Sequence, residues 1–529
     1  MILLRVFAFA SLVLPLCMRG QNLPHTYTET VITRYVNEFN TADNELYKEA
    51  ISNNEALEFL KNNIPLFECP DKSLERTYYF RWWTYRKHIK KTPEGYVITE
   101  FLPTVSWAGK YNSICCAAAH HLYEGRWLKD NIILKDYIRF WFWGGGDPRL
   151  YSFGAADAIY NYYLVHPDKQ LLAELYPELK KNFRAWENEK RDSTDMFWQT
   201  DDRDGMELSV SGFLSEGGRG YRPTLNSYMY GEAEALARIA LVLGKVHESR
   251  FYQGKAIDIK AMINNRLWDK KDQFYKVIPC NGKMEFSPVR ELLGYTPWFY
   301  NIPLEECSIA WRELFDTCGF AAPYGPTTTE QRCPDFKVVY EGHECQWNGP
   351  SWPYSTSLTL TALANFLNNY NSKIVTKENY FALLNIYSNS HRRVTEKKDT
   401  ICWIDENLNP YTGDWISRTI LKTLKNGNWD SLKGGVERGK DYNHSSFCNL
   451  VISGLIGVRP QNDGKILINP LVPDNVWEYF CLDNLYCQGK IISVMYDKSG
   501  KKYHKGKGFM IYVDGKCISH TSDVRKVIF

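Results

Sequence analysis

Gly342-His343-Glu344-Cys345-Gln346-Trp347-Asn348-Gly349-Pro350-Ser351-Trp352-Pro353 leads into an apolar helical face made of Leu358, Ala362, Phe366 and Leu367. A loop dense in Gly, Trp and amides, followed by a helix entered through proline, sets the pattern for most of the chain. Leu236, Ile239, Ala240 and Leu243 stand at i, i+3, i+4 and i+7 and stop at Gly244, and Leu179, Phe183 and Trp186 follow Pro177, which reads as a first-turn residue. Trp143-Gly144-Gly145-Gly146-Asp147-Pro148 is another such loop. Loops of this kind, held on rigid helices, are where chemistry concentrates. The alternation is compatible with a toroid of helical hairpins, although spacing alone does not show closure.

After about residue 460 the period changes to that of strands: Lys465 to Asn469, Lys490 to Tyr496 and Gly508 to Val513, with turns at Asp497 to Gly500 and Asp514 to Lys516. The partition expected is 1–20 a signal peptide, 21–457 a helical domain and 458–529 a small β domain. Arg5, the apolar stretch Val6 to Leu16 and the polar exit Cys17-Met18-Arg19-Gly20 make the signal, with cleavage before Gln21. Leu14-Pro15-Leu16-Cys17 is a poor lipoprotein signal, because the residue before the cysteine is large. No later run approaches the roughly 18 apolar residues of a membrane helix. A soluble protein, exported to the periplasm or beyond, is therefore expected.

Of 529 residues, 64 Lys+Arg face 61 Asp+Glu, a net charge of +3 that gives no nucleic-acid footprint. The 17 Trp, 35 Tyr and 26 Phe, many beside Asp, Glu, Asn and Gln, suit carbohydrate instead: rings stack on sugar faces while forked polar groups take the hydroxyls. Fourteen cysteines, one of them in the signal and none in CxxC spacing, read mainly as buried free thiols with at most one or two bridges. His343 with Cys345, and Cys115-Cys116 with His120-His121, lack the further ligands a zinc site needs. No metal or cofactor is expected, and GxSxG, Walker, GxGxxG and HExxH motifs are absent.

Three regions carry candidate chemistry. The first, Trp198 to Ser209, holds Asp201, Asp202, Asp204 and Glu207 beside Arg203, with Arg222 and Asn226 following. Four carboxylates so close together are costly to bury unpaired, so they form either a solvated loop or a site, and Trp-Gln and Gly-Met within the loop favour a site. The second is the opening loop, where His343, Gln346, Trp347, Asn348 and Trp352 offer amide forks and stacking rings; the competing reading is a packed Trp corner. The third is Trp403 to Trp415, where Asp405 and Glu406 precede Asn409-Pro410-Tyr411-Thr412-Gly413, with His444 further on. Trp107 and Lys110 complete the candidate sugar-binding set. Glu406, about 200 residues from the first region, supplies the second carboxylate that glycoside hydrolysis requires.

On these residues the chain resembles the six-hairpin glycosidases: trehalases, glycoside hydrolase family 63 and, most closely, mannosylglycerate-hydrolase-like proteins. Gln346 to Pro353 resembles the trehalase signature Gln-Trp-Asp-x-Pro-x-Gly-Trp-x-Pro, with Asn348 for its Asp and one residue fewer. Gly205-Met206-Glu207-Leu208-Ser209 resembles the Gly-Met-Asp-Asn-Ser segment that carries the family's general acid, and Glu406 with Asn409 to Gly413 resembles the segment of the general base. The resemblance implies a mainly α fold, an (α/α)6 barrel with a small β-sandwich-like C-terminal domain. It also implies an exo-acting, inverting hydrolase in which Glu207 protonates the departing oxygen and Glu406 activates water on an α-glucoside or α-mannoside. Glu for Asp at 207 leaves Asp202 and Asp204 open as the acid. An N-terminal β domain of the family 63 kind is not expected, since helical pattern begins soon after the signal. A hairpin-barrel enzyme of another linkage, such as a β-L-arabinofuranosidase, and a non-catalytic glycan-binding protein are the competing readings. Phosphorolysis would not need Glu406.

Overall fold

The computed structural model describes residues 26–423 and 434–529. The signal-peptide reading of 1–20 lies outside the described residues. Among the described residues, helices dominate from Thr26 to Leu455 and strands afterwards.

Two kinds of helix alternate. Lys72–Lys87, Pro223–Val242 and Pro353–Asn369 are buried on nearly every side. Lys169–Lys190 and Val246–Arg266 bury one stripe each, Leu171 to Trp186 in the first and Tyr252, Ala256, Ile259 and Ile263 in the second. An all-round buried helix belongs to an inner layer and a one-faced helix to an outer one. Contacts run from Ala118–Gly125 to Ala155–Val165, then to Pro223–Val242, Thr296–Phe299, Pro353–Asn369 and the π-helical Leu450–Leu455. The last returns to the first through Glu124, whose carboxylate accepts from the backbone N–H groups of Phe447 (3.0 Å), Cys448 (2.8 Å) and Asn449 (2.7 Å). Those N–H groups have no partner within their own helical turn, so a carboxylate there ties the Ala118–Gly125 helix to the start of the last helical turns.

Pro177 is not a first-turn residue. The helix starts eight residues earlier, at Lys169, where the Asp168 side chain accepts from the Leu171 N–H at 3.0 Å. Leu171, Leu172 and Leu175 extend the buried stripe through the proline, and that burial offsets the helical hydrogen bond it removes. The Pro223–Val242 helix ends where its apolar spacing does, with Gly244 left-handed at φ 77°.

The C-terminal region has two antiparallel sheets. One, in spatial order, pairs 66–68, 479–487, 490–497, 508–513 and 516–521, so its edge strand comes from the N-terminal part of the chain. The other pairs 458–460, 466–468 and 527–528. All thirteen cysteines in the described residues are free thiols. No helix among the described residues is long and apolar enough to cross a membrane.

Candidate active site

Backbone strain aims Glu207. The Asp202–Asp204 turn ends at Gly205 (φ 74°), and Leu208 is also left-handed at φ 60°, a conformation costly for a branched residue. Asp201 anchors the turn, its carbonyl accepting from the Met206 N–H at 2.8 Å and its side chain from Ser209 at 3.3 Å. Between the two left-handed residues Glu207 is turned into a cavity of about 420 Å³. Burial, with the nearby Glu100 and Glu406 carboxylates adding to it, pushes its pKa up to about 8.

Glu406 enters the same cavity from the third region. Asn409 makes the turn beyond it, accepting from the N–H groups of Tyr411 (2.9 Å) and Thr412 (3.2 Å). A two-way backbone pairing of Ser351 with Leu408 stitches the second region to the third. Arg438 donates to Glu406 Oε1 at 2.6 Å and to Glu344 Oε1 at 2.6 Å. Burial raises the Glu406 carboxyl above its ordinary range while Arg438 pulls it down; at Glu344, less enclosed, the arginine wins and the pKa is lowered. The Cys345 thiol donates to Glu406 Oε2 at 3.5 Å.

Of the other residues proposed from sequence, Trp107, Asp202, Arg203, His343, Trp352 and His444 line this cavity. Trp107 lies under the Arg438 guanidinium, 5.4 Å from the ring centre, and Arg203 covers Tyr151 at 5.1 Å. The rest are engaged elsewhere. Asp204 is buried and accepts from the Thr224 hydroxyl. Arg222 binds Ser209 and the Gly218 carbonyl, and Asn226 spends its amide on Phe197 and the Arg222 carbonyl. Trp198 sits between Lys190 and Arg219, and Lys110 pairs with Glu94. Gln346 holds the carbonyls of Val339, Glu341 and His343, and Trp347 stacks on Trp352 at 4.5 Å, which is the packed corner weighed above. Asn348 bonds Lys337 through its backbone, and Asp405 is buried under Trp403 and Gly439, its pKa raised to about 7 by burial and Glu406. These nine residues frame the loops instead of facing the cavity.

Sequence reasoning gave no part to Glu100, Tyr151, Glu344, Arg438 or Tyr442. A lone Glu or Arg outside a Trp-rich loop carries no local signal; Arg438 is found only by asking what neutralises Glu406. His343, Glu344 and Cys345 bring donor atoms within 4.8 Å of one another. Glu344 is already engaged by Arg438, and burial beside Glu406 raises the Cys345 thiol well above its ordinary value, opposing the thiolate a metal needs.

The chain is similar to several known proteins. A solved protein named Sialidase is 38% identical over 94% of this chain, with a TM-score of 0.86; this chain covers 44% of that protein and so spans less than half its length. The family 78 rhamnosidase of Bacillus sp. GL1 is 12% identical over 82% of this chain and 40% of its own, with a TM-score of 0.50, a likeness of fold alone. The family 63 mannosylglycerate hydrolase of Thermus thermophilus is 12% identical over 65% of this chain and 98% of its own, with a TM-score of 0.48. The sequence profile of the mannosylglycerate hydrolase MGH1-like glycoside hydrolase domain matches residues 110–445, more than half of the chain, a span that holds Glu207, Glu344, Glu406 and Arg438. With that match added to a cavity lined by carboxylates and aromatic rings, the chain belongs to the MGH1-like glycoside hydrolase family.

Proposed function

We propose that this chain is an exported, exo-acting, inverting glycoside hydrolase built on an (α/α)6 toroid. The observation that carries the reading is the contrast between Glu207, protonated at neutral pH with a pKa of about 8, and Glu406, held against Arg438 in the same cavity. Two carboxyl groups in unlike surroundings, one buried beside other carboxylates and one paired with a guanidinium, are what acid–base cleavage of a glycoside needs. Glu207 donates its proton to the departing oxygen. Glu406 takes a proton from water through Oε2, since Arg438 occupies Oε1. The alternation of inner and outer helices and the Glu124 junction support the toroid. At about 420 Å³ the cavity lies toward the small end of ligand sites, roughly 300–1,000 Å³, which suits a terminal sugar and its leaving group.

The name Sialidase raises an anionic sugar as substrate. Five acidic side chains line the cavity against two arginines, with Arg438 already spanning two carboxylates and Arg203 beside Asp202 at 3.5 Å. That balance favours a neutral sugar of the α-glucoside or α-mannoside type. Aryl glycosides and oligosaccharides, followed by proton NMR of the first-formed sugar, test the reading. Inverted configuration is expected, and a retained anomer at early time contradicts it.

A further inference from the structure

A second cavity, of about 360 Å³, shares no lining residue with the first. The same inner helices run between the two. Trp352, just before the Pro353–Asn369 helix, lines the first cavity, whereas Asn365 and Asn369 of that helix line the second. Cys116 and Tyr123 divide in the same way at the two ends of the Ala118–Gly125 helix. Helix from 352 to 365 rises about 1.5 Å per residue, so the cavities lie roughly 20 Å apart. Arg459, in the strand Val458–Pro460, closes the second cavity from the β side.

Arg126 and Arg459 both line this second cavity, and the chain offers each of them neutral oxygens in place of a carboxylate. Arg126 donates to Asn161 Oδ1 at 3.1 Å and to Asn449 Oδ1 at 3.0 Å. Arg459 donates through Nε to the Ser453 carbonyl at 2.9 Å and through Nη1 to Asn365 Oδ1 at 2.8 Å. The acids of the cavity are spent elsewhere. Glu234 pairs with Arg238 at 3.0 Å, and Asp157 accepts from the Tyr123 hydroxyl at 2.6 Å and the Asn161 amide at 3.2 Å. Arg459 Nη2 makes no hydrogen bond among the described residues, and the residue is partly exposed. Capping the helical turn at Ser453 uses Nε alone, so it leaves Nη2 unexplained. Burial, with the repulsion of Arg126 added, lowers the Arg459 pKa to about 10. A guanidinium largely withdrawn from water beside another cation is costly until an anion joins it.

We propose that the second cavity binds a small oxyanion, the carboxylate, phosphate or sulfate of an acidic sugar or the free inorganic anion, seated on Arg459 Nη2 with Arg126 behind it. Its charge balance is the reverse of the first cavity's: three arginines against two acids, where the first has five acids against two arginines. Around the oxyanion, Asn369 Oδ1 and Asn462 Nδ2 also make no hydrogen bond among the described residues, an acceptor and a donor at the rim that suit hydroxyl groups. The site is independent of the glycosidase reading, since Glu207 and Glu406 take no part in it.

Calorimetry with the full chain tests the site with sulfate, inorganic phosphate, glucuronate and glucose 6-phosphate, and with glucose as the neutral control. At least one of the four anions is expected to bind at least about tenfold tighter than glucose, with an affinity that falls as salt is added. Glucuronate or glucose 6-phosphate binding tighter than sulfate and phosphate identifies a sugar acid as the occupant, and the reverse order identifies the free anion; either supports the site. Arg459→Gln should cut the affinity at least about tenfold. Asn462→Asp keeps an oxygen for the Tyr160 hydroxyl, which bonds it at 3.1 Å, and sets a negative charge at the exposed rim. It should weaken the anion by a similar factor at an unchanged melting temperature, which keeps the test decisive where Arg459→Gln fails to fold. Glu207→Gln, in the first cavity, should leave anion binding as it is. No binding by any of the four anions, glucose bound as tightly as they are, an affinity unchanged in both Arg459→Gln and Asn462→Asp, or an affinity lost in Glu207→Gln would overturn the proposal.

Discussion

Arg438 and Glu406, 32 residues apart in sequence, meet at 2.6 Å on the cavity wall, and the same guanidinium reaches Glu344 at 2.6 Å. One cation therefore holds two carboxylates, and removing it leaves both without that partner. Breaking a buried pair from one side costs about 3–5 kcal/mol. Arg438→Met should lower unfolding stability in urea by that order. Arg438→Lys should recover only part of the loss, since an ammonium cannot span two carboxylates as a planar fork does.

The pH dependence of activity follows from the two shifts. Glu207 must be protonated to act as the acid, so kcat/KM falls as pH rises through about 8. Glu406 must be ionised, so activity also falls at acid pH, on a limb lying above the ordinary carboxylate value because burial raises that group. Arg438→Lys should move the acid limb upward, as weaker pairing opposes the burial less. A rate profile with its alkaline limb near 8 in the wild type, absent in Glu207→Gln, is the expected result.

Stability should carry the same signature with its own sign. A carboxyl whose folded pKa is raised to about 8 contributes favourably below the ordinary value of 4.5, and that contribution is lost as pH rises toward 8. Glu207→Gln does not titrate. Relative to wild type it should gain stability between pH 5 and 8.5, by on the order of 2–4 kcal/mol, read as a widening difference in melting temperature. Glu232, raised to about 8, and Asp405, raised to about 7, titrate in both proteins and cancel in that difference.

What the sequence revealed, and what it hid, divides along physical lines. The Pro353–Asn369 and Pro223–Val242 helices were legible because burial writes a period into the chain; Glu207 drew notice through its cluster of carboxylates and Glu406 through the turn-forming residues after it, and both line the cavity. Tyr479–Cys487 was not read as a strand: Asp483 and Asn484 interrupt its apolar run where the pairing register shifts between Leu482 and Leu485. Leu66–Glu68, three residues paired with a strand some 400 residues away, has no local signature at all. Gln346, Trp347 and Asn226 have the right chemistry for sugars, yet they spend it on neighbouring backbone and rings, a choice that only three-dimensional packing records.

Asn226 makes that difference measurable. Its amide bonds Phe197 in both directions, at 2.9 and 2.8 Å, and the Arg222 carbonyl at 2.8 Å, all of it buried. Asn226→Ala should cost about 2–4 kcal/mol in denaturant unfolding, several buried hydrogen bonds being lost together. The KM of the folded fraction should stay within about twofold of wild type. A large rise in KM with unchanged stability would return Asn226 to the sugar-binding set.

The division of labour between Glu207 and Glu406 is tested most directly by comparing an alkyl glycoside with the corresponding glycosyl fluoride in two variants. An alkoxide needs a proton to leave and fluoride does not, so Glu207→Gln should lose at least about 10²–10⁴-fold on the alkyl glycoside and little on the fluoride. Glu406→Gln should lose comparably on both, because water must be activated whatever departs. Equal losses on both substrates in Glu207→Gln, or a fluoride-sparing pattern in Asp202→Asn or Asp204→Asn, would contradict the assignment of Glu207 as the acid.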